Sequence, residues 1–273
     1  MTDAITLSLR AAPERRVEAD CIVPDRFAAL AEAEIARLPI WDGPRRIPLG
    51  ELFDVHGGHA TSVRLAGDLS RIDAIGAGMT TGELVVEGDV GRYVGTRMAG
   101  GTLRITGRAG DGAGLEMAGG LLDIGGDAGD RAGAARLGSP KGMLGGELVV
   151  RGTAGAGTGT RMRRGLVVVC GAAGPHTGAG MIAGSVIVLG DLGADPGRGN
   201  KRGSIVALGG ATVPATYRYA CTYRPPHLAL TLRALRARRG VRIDEHRLTD
   251  VYRRYSGDLA ELGKGELLTW APQ

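Results

Sequence analysis

The strongest constraint in this sequence is a repeat. Glu83-Leu-Val-Val-Glu-Gly88 returns as Thr102-Leu-Arg-Ile-Thr-Gly107, Leu121-Leu-Asp-Ile-Gly-Gly126 and Glu147-Leu-Val-Val-Arg-Gly152. Leu166-Val-Val-Val-Cys-Gly171, Ser185-Val-Ile-Val-Leu-Gly190 and Ser204-Ile-Val-Ala-Leu-Gly209 continue the series. The closing glycines are spaced by 19, 19, 26, 19, 19 and 19 residues. Met79, Met98, Met117, Met143, Met162, Met181 and Asn200 keep the same step, and the one long interval holds seven extra residues near Ala134–Lys141.

Each copy is a four- to five-residue segment with alternating apolar positions, the pattern of a strand with one buried face. Glycines follow at short intervals and allow the sharp turns and close backbone approaches that a 19-residue period demands. No single copy can bury its own apolar face, so copies must stack. The predicted fold is an all-β core, a β-helix or solenoid of about seven to eight Gly-rich coils with short helical and strand caps. Expected segments are a cap over 1–58, the repeat over 59–213 and a capping or docking segment over 214–273. The repeated Met is read as a filler between coils. The 48 glycines fit no other pattern: collagen needs one at every third residue, and no GxGxxG or phosphate-binding loop occurs.

The inner strand face is apolar in every copy, for example Leu84/Val86 and Val167/Val169. The outer face changes along the chain. Val85/Glu87, Arg104/Thr106, Asp123/Gly125 and Val149/Arg151 are mixed, whereas Val168/Cys170, Ile187/Leu189 and Val206/Leu208 are wholly apolar. Six such side chains form a patch too large to leave wet. The cover is another subunit or the chain's own C-terminal segment; the partner is the favoured expectation, which makes Val168, Cys170, Ile187, Leu189, Val206 and Leu208 expected interface residues. At the ends, Ile5, Leu7 and Leu9 alternate as a strand. Asp25 is expected to cap a helix through Phe27, Leu30, Glu34 and Leu38, and Asp244 one carrying Leu248, Val251, Tyr252 and Tyr255. Leu228, Leu230, Leu232 and Leu235 have an ambiguous period.

No catalytic or metal-binding set stands out. His56 and His59 with Asp54 lack the remaining ligands of a metal site. His176 reads as a turn residue and Cys170 as a small buried hydrophobe. The three cysteines have no metal or cluster spacing. The net charge of +5 with only 10 aromatic residues does not describe a nucleic-acid surface. No apolar run approaches a membrane span, and without a leader pattern the expected location is the cytoplasm. One polar feature is sharper. Arg97, Arg161, Arg163, Arg164, Lys201 and Arg202 fall beside the Met marker and are expected to form a basic stripe that attracts an anionic ligand.

Ile75-Gly-Ala-Gly-Met-Thr-Thr-Gly-Glu-Leu-Val-Val-Glu-Gly-Asp89 and the G-x-x-x-G-x-x-M turns resemble the C subunit of formylmethanofuran dehydrogenase. Pro48-Leu-Gly-Glu-Leu-Phe53 and Tyr255-Ser-Gly-Asp-Leu-Ala-Glu-Leu-Gly-Lys-Gly-Glu266 extend the resemblance over most of the chain. It implies a right-handed β-helix serving as a scaffold subunit. Its partners would be hydrolase-like, formyltransferase and B-type subunits, and metal and catalytic sites would lie on them. In the bacterial version the complex moves a formyl group from formyl-tetrahydromethanopterin to a methanofuran- or methylofuran-like carrier and hydrolyses it to formate. The arginine-for-lysine bias favours that version. The resemblance also implies that the basic stripe meets an acidic carrier tail. Two alternatives stand: the C subunit of a tungsten or molybdenum formylmethanofuran dehydrogenase, and a structural or channel module like the C-terminal domain of glutamate synthase, which shares the glycine repeat.

Overall fold

The computed structural model describes residues 4–272. The repeated segments are strands, and they pair side by side in a thirteen-stranded sheet. Glu83–Glu87, Thr102–Ile105, Leu121–Ile124, Glu147–Val150, Leu166–Val169, Ser185–Val188 and Ser204–Ala207 follow one another as parallel neighbours. Register is set by the repeat: Leu84 lies opposite Leu103, Leu103 opposite Leu122, and Leu122 opposite Leu148. The buried face therefore meets itself from strand to strand, and a one-residue slip would turn it to solvent.

Two further columns tie the rungs together away from the strands. Single-residue parallel bridges link Val90, Ala109, Ala128, Ala154, Ala173, Leu192 and Ala211 in succession. The Met marker forms the other. The Met79 carbonyl accepts the Ala99 N–H at 2.8 Å, Met98 that of Ala118 at 2.7 Å, and Met181 that of Lys201 at 2.8 Å. All six repeat methionines and Asn200 are fully buried. Asn200 breaks the pattern because the ladder ends there. Its amide bonds both ways with Gly203 at 2.8 Å, a satisfied polar plug where the column ends and Asp258 and Gly265 of the C-terminal segment close over it.

The turns are built from left-handed backbone at fixed places. Ala74, Tyr93, Gly112, Arg131, Gly157, His176 and Asp195 form one such column, with φ between 52° and 74°. Two of its seven members are glycine, so here the conformation is imposed on ordinary side chains. Other glycines are required by proximity. A Cβ on Gly119 would lie 2.2 Å from the Ala99 carbonyl oxygen of the preceding rung. Aspartates reinforce one edge: Asp73, Asp89, Asp111, Asp127, Asp130 and Asp191 each accept a backbone N–H from the next rung at 2.7–3.0 Å.

Antiparallel pairs close both ends of the sheet. Ile5–Leu9, the expected strand, lies parallel to Ser62–Ala66 and takes Phe53–His56 antiparallel on its outer side. At the other end Gly265–Ala271 pairs parallel with Ser204–Ala207, then antiparallel with Val251–Gly257, which pairs antiparallel with Arg218–Tyr223. A four-stranded sheet and the short helices Pro24–Phe27 and Glu32–Ala36 flank the first rungs.

Two expected helices differ. Asp25 is not an N-cap. Pro24 occupies the first helical turn, Val23 stands at the cap, and the helix stops at Phe27. The Asp25 carboxylate instead accepts the Thr80 N–H at 3.0 Å and the Thr80 hydroxyl, fastening the cap to the repeat. Asp244 does stand at the N-cap of Glu245–Thr249, but Val251, Tyr252 and Tyr255 belong to a strand. β-Branched and aromatic residues there satisfy the edge of the sheet, and that pairing outweighs the helical spacing. The ambiguous leucines lie on the helix Pro226–Arg239.

Gly119→Ala should cost about 3 kcal/mol or more, because two backbones must separate to admit the methyl group. Gly78→Ala has open space around its Cβ but a φ of +71°, and should cost only about 1–2 kcal/mol. Urea denaturation of the two variants checks the order, and equal losses would contradict the packing described.

Candidate functional site

Three surface features decide what the chain can do. The first is the apolar outer face. The helix Pro226–Arg239 lies across it and buries Leu228, Leu232 and Leu235, spaced as one helical stripe. Val168, Ile187, Val206 and Leu208 are at most 3% exposed beneath it, and Cys170 and Leu189 pack at its margin. Leu121, Val149, Val241, Ile243, Leu248, Tyr252 and Leu268 complete this second core. The expectation of a partner over this face is therefore corrected: the cover is the chain's own C-terminal segment. The outer residues alone could not distinguish the two, because an apolar face says only that it is covered.

Polar clamps hold that cover in place. Arg151 grips Asp123 through two bonds, at 2.9 and 2.8 Å, and also donates to the Arg239 carbonyl at 2.8 Å. Arg239 in turn pairs with Glu147 at 2.7 Å. The charge on Arg151 is reinforced by its hydrogen bonds to Asp123. Burial pushes the Cys170 thiol up, and burial pushes that of Cys21 to about 12, so neither is poised as a thiolate.

The second feature is the basic edge. The structure brings together part of the expected stripe and separates the rest. Arg163 and Lys201 are equivalent positions two rungs apart, as are Arg164 and Arg202, and all four are exposed. Two rungs are about 9.6 Å. Lys201 approaches Glu261 at 3.8 Å. Arg161 and Arg97 are committed elsewhere. Arg161 donates to the Ser139 carbonyl at 2.8 Å, and Arg97 pairs with Glu116 at 3.1 Å. Both point along a neighbouring column, one residue before the methionines, where most coils carry glycine. His56, His59 and His176 do not converge with other ligands, and among the described residues no group of three or more His, Cys, Asp or Glu is placed to hold a metal ion.

The third feature was not foreseen. An open groove of about 800 Å³ runs over the turns of the first rungs. Arg16, Val17, Glu18, Asp20 and Trp41 wall one side, and Arg136 and Leu137 of the seven-residue insertion wall the other. Its legible signals were the single interruption of the 19-residue period and the bulky Tyr93 at a turn position.

Comparison with known proteins follows from this geometry. No family model matches the chain. The C subunit of the molybdenum-containing formylmethanofuran dehydrogenase 1 of Methanosarcina barkeri is 40% identical over 84 residues, 29% of this chain and 28% of that protein. The C subunit of the formyltransferase/hydrolase complex Fhc of Methylorubrum extorquens is 40% identical over 87 residues, 32% of this chain and 33% of that protein. The chain thus matches only about a third or less of the length of these curated relatives. A chain in the crystal structure of the formyltransferase/hydrolase complex (FhcABCD) from Methylorubrum extorquens, in complex with methylofuran, matches far more extensively. It superposes with a TM-score of 0.91 and 39% identity, over 98% of this chain and 100% of that one. The chain belongs to the family of formylmethanofuran dehydrogenase C subunits. No helix among the described residues of this family member is long and apolar enough to cross a membrane.

The tail segment from Tyr255 to Glu266 has a structural role here. Burial opposes the charge of Asp258, which is 3% exposed, but N–H groups of Gly199 and Ala260 and the Thr216 side chain outweigh it and hold the carboxyl below its usual range. Asp258 thereby locks the last coil to the C-terminal strands. Asp127 is held low by the Thr153 N–H and hydroxyl. Both carboxylates stabilise the fold above the unfolded-state value of about 4, and that contribution is lost as the pH falls through their lower folded values.

Two outcomes follow. Leu232→Ala should cost roughly 2–5 kcal/mol. Leu230→Ala on the same helix, 65% exposed, should cost under about 0.5 kcal/mol in urea titrations, and similar losses would contradict self-coverage. Melting temperature should hold from pH 7 to about 5 and fall below about pH 4, with Asp258→Asn flattening part of that fall; a decline beginning above pH 6 would assign the transition to other groups.

Proposed function

We propose that this chain is a non-catalytic scaffold subunit of a one-carbon formyl-transfer complex. The complex would move a formyl group from formyl-tetrahydromethanopterin to a methanofuran- or methylofuran-type carrier and hydrolyse it to formate. Hydrolase-like, formyltransferase and B-type subunits would carry that chemistry. The observation that carries this reading is the near full-length match, at 39% identity, to a chain of the FhcABCD complex. A second reading, the C subunit of a tungsten or molybdenum formylmethanofuran dehydrogenase, draws on the names of the curated relatives at 36–42% identity. The shorter reach of those matches ranks it second.

The scaffold itself is read as a right-handed β-helix of about seven to eight coils, since parallel strands joined by short crossovers are almost always connected right-handedly. The aligned strand, bridge and methionine columns support this winding. Residues 1–58 and 214–273 act as its caps. The exposed quartet Arg163, Arg164, Lys201 and Arg202 is the part of the basic stripe suited to an anionic carrier tail, because repeated cations at a spacing of about 10 Å follow an extended polyanion.

Purification of the native chain should bring down the other formyl-complex subunits, with formyl transfer lost when the chain is omitted. A monomer with no affinity for them would overturn the reading, and stoichiometric tungsten or molybdenum in the assembly would select the dehydrogenase form. Replacing Arg163, Arg164 and Arg202 with Ala should weaken carrier binding by about 5–10-fold at low ionic strength and less at high salt. Unchanged binding would remove the carrier role from this edge.

A further inference from the structure

We propose that the groove between the N-terminal cap and the seven-residue insertion is the docking site for an extended segment of another protein subunit. That segment carries an apolar side chain at its centre and a carboxylate facing the insertion. The proposal rests on the reading that this chain works inside an assembly, and goes beyond it by naming the surface and its occupant.

Exposed apolar side chains converge on this one place. Trp41 is 46% exposed, Tyr93 45% and Leu137 88%, and all three line the groove. Leu137 is the most exposed large apolar side chain among the described residues. It does not sit on a loose loop. Arg131 donates to the Ala135 carbonyl, Arg161 to the Ser139 carbonyl at 2.8 Å, and the Gly142 N–H bonds the Arg161 carbonyl at 2.7 Å. The insertion is thus held from both flanking rungs, and the ordering cost of presenting Leu137 is already met before anything binds.

Tyr93 shares its left-handed backbone with Ala74, Arg131, His176 and Asp195 of the same column, but its side chain differs from theirs in use. The ring lies beside Gly112 of the next rung, is 45% exposed and lines the groove.

Charge gives the groove a direction. Arg16 pairs with Asp73 and Arg97 with Glu116, which leaves Glu18 and Asp20 at the cap side and Arg131 and Arg136 at the insertion side. Arg131 donates to a carbonyl and pairs with no carboxylate among the described residues. An occupant with a carboxylate toward Arg131 and Arg136 matches this polarity. Trp, Tyr and Arg are also the residues that dominate protein interfaces. The span from Ala74 to Arg131 is three rungs, about 14 Å, which an extended chain of four or five residues covers. A small molecule needs enclosure, and this groove is open, with Trp41, Tyr93 and Leu137 reaching solvent.

The test uses the complex assembled with its partner subunits. A benzophenone amino acid at position 137 should crosslink on irradiation to an acidic segment of another subunit, well above a control at the exposed Arg253. Tyr93→Gly, which removes the ring and relieves the backbone, should leave melting unchanged or raised and weaken subunit affinity tenfold or more. Crosslinking to a second copy of this chain, crosslinking no greater than the control, or unaltered affinity of Tyr93→Gly would overturn the proposal. Where the wild-type chain assembles normally, such results remove the groove and leave the subunit reading intact. Failure of the wild-type chain to assemble removes both.

Discussion

Backbone hydrogen bonding from one rung to the next is the interaction on which everything else rests. It fixes the rungs at about 4.8 Å, and at that distance a single Cβ in the wrong place collides with the carbonyl beneath it. Glycine at 100, 119 and 145 meets that limit, since a Cβ at each would fall within 2.4 Å of a carbonyl oxygen one rung back. The repetition of hydrophobic positions follows too, because residues that stack at this spacing must match their neighbours above and below. The asparagine at the end of the methionine column shows the same constraint from the other side: where the column stops, a polar side chain that bonds the Gly203 backbone replaces the apolar filler.

From that frame the surface follows. The stack offers parallel columns, and each column can be specialised independently. One outer strand face becomes apolar over its last rungs and takes the helix Pro226–Arg239 as a lid, with Arg151 and Arg239 as clamps. One turn column carries exposed cations two rungs apart. Another carries Tyr93 and is interrupted by the insertion that presents Leu137. A stacked sheet of this kind places side chains at fixed intervals, which suits a protein similar to subunits of larger complexes.

Much of this was legible in the sequence, and for a physical reason: a period of 19 residues forces equivalent positions into equivalent surroundings. The strands, their register and the buried methionines all follow from it. The ends were harder. Tyr252 and Tyr255 have helical spacing relative to Leu248, yet they complete the sheet edge, since an unpaired terminal strand is satisfied by whatever chain reaches it. The cover on the apolar face also lay beyond sequence reasoning, because Val168 and Ile187 are equally apolar under a helix or a partner. Arg97 and Arg161 looked like members of a free stripe, but each, though exposed, is held by one local partner, Glu116 and the Ser139 carbonyl, that only the folded turns bring within reach.

The period itself is open to direct test. Excising residues 102–120 removes one whole 19-residue coil and joins Gly101 to Leu121 in the same register, whereas excising 102–111 leaves the register broken. The stack described here predicts that the first deletion retains a cooperative thermal transition and the native circular dichroism per residue, and that the second loses both. Equal damage from the two deletions would contradict the claim that each coil is an interchangeable rung.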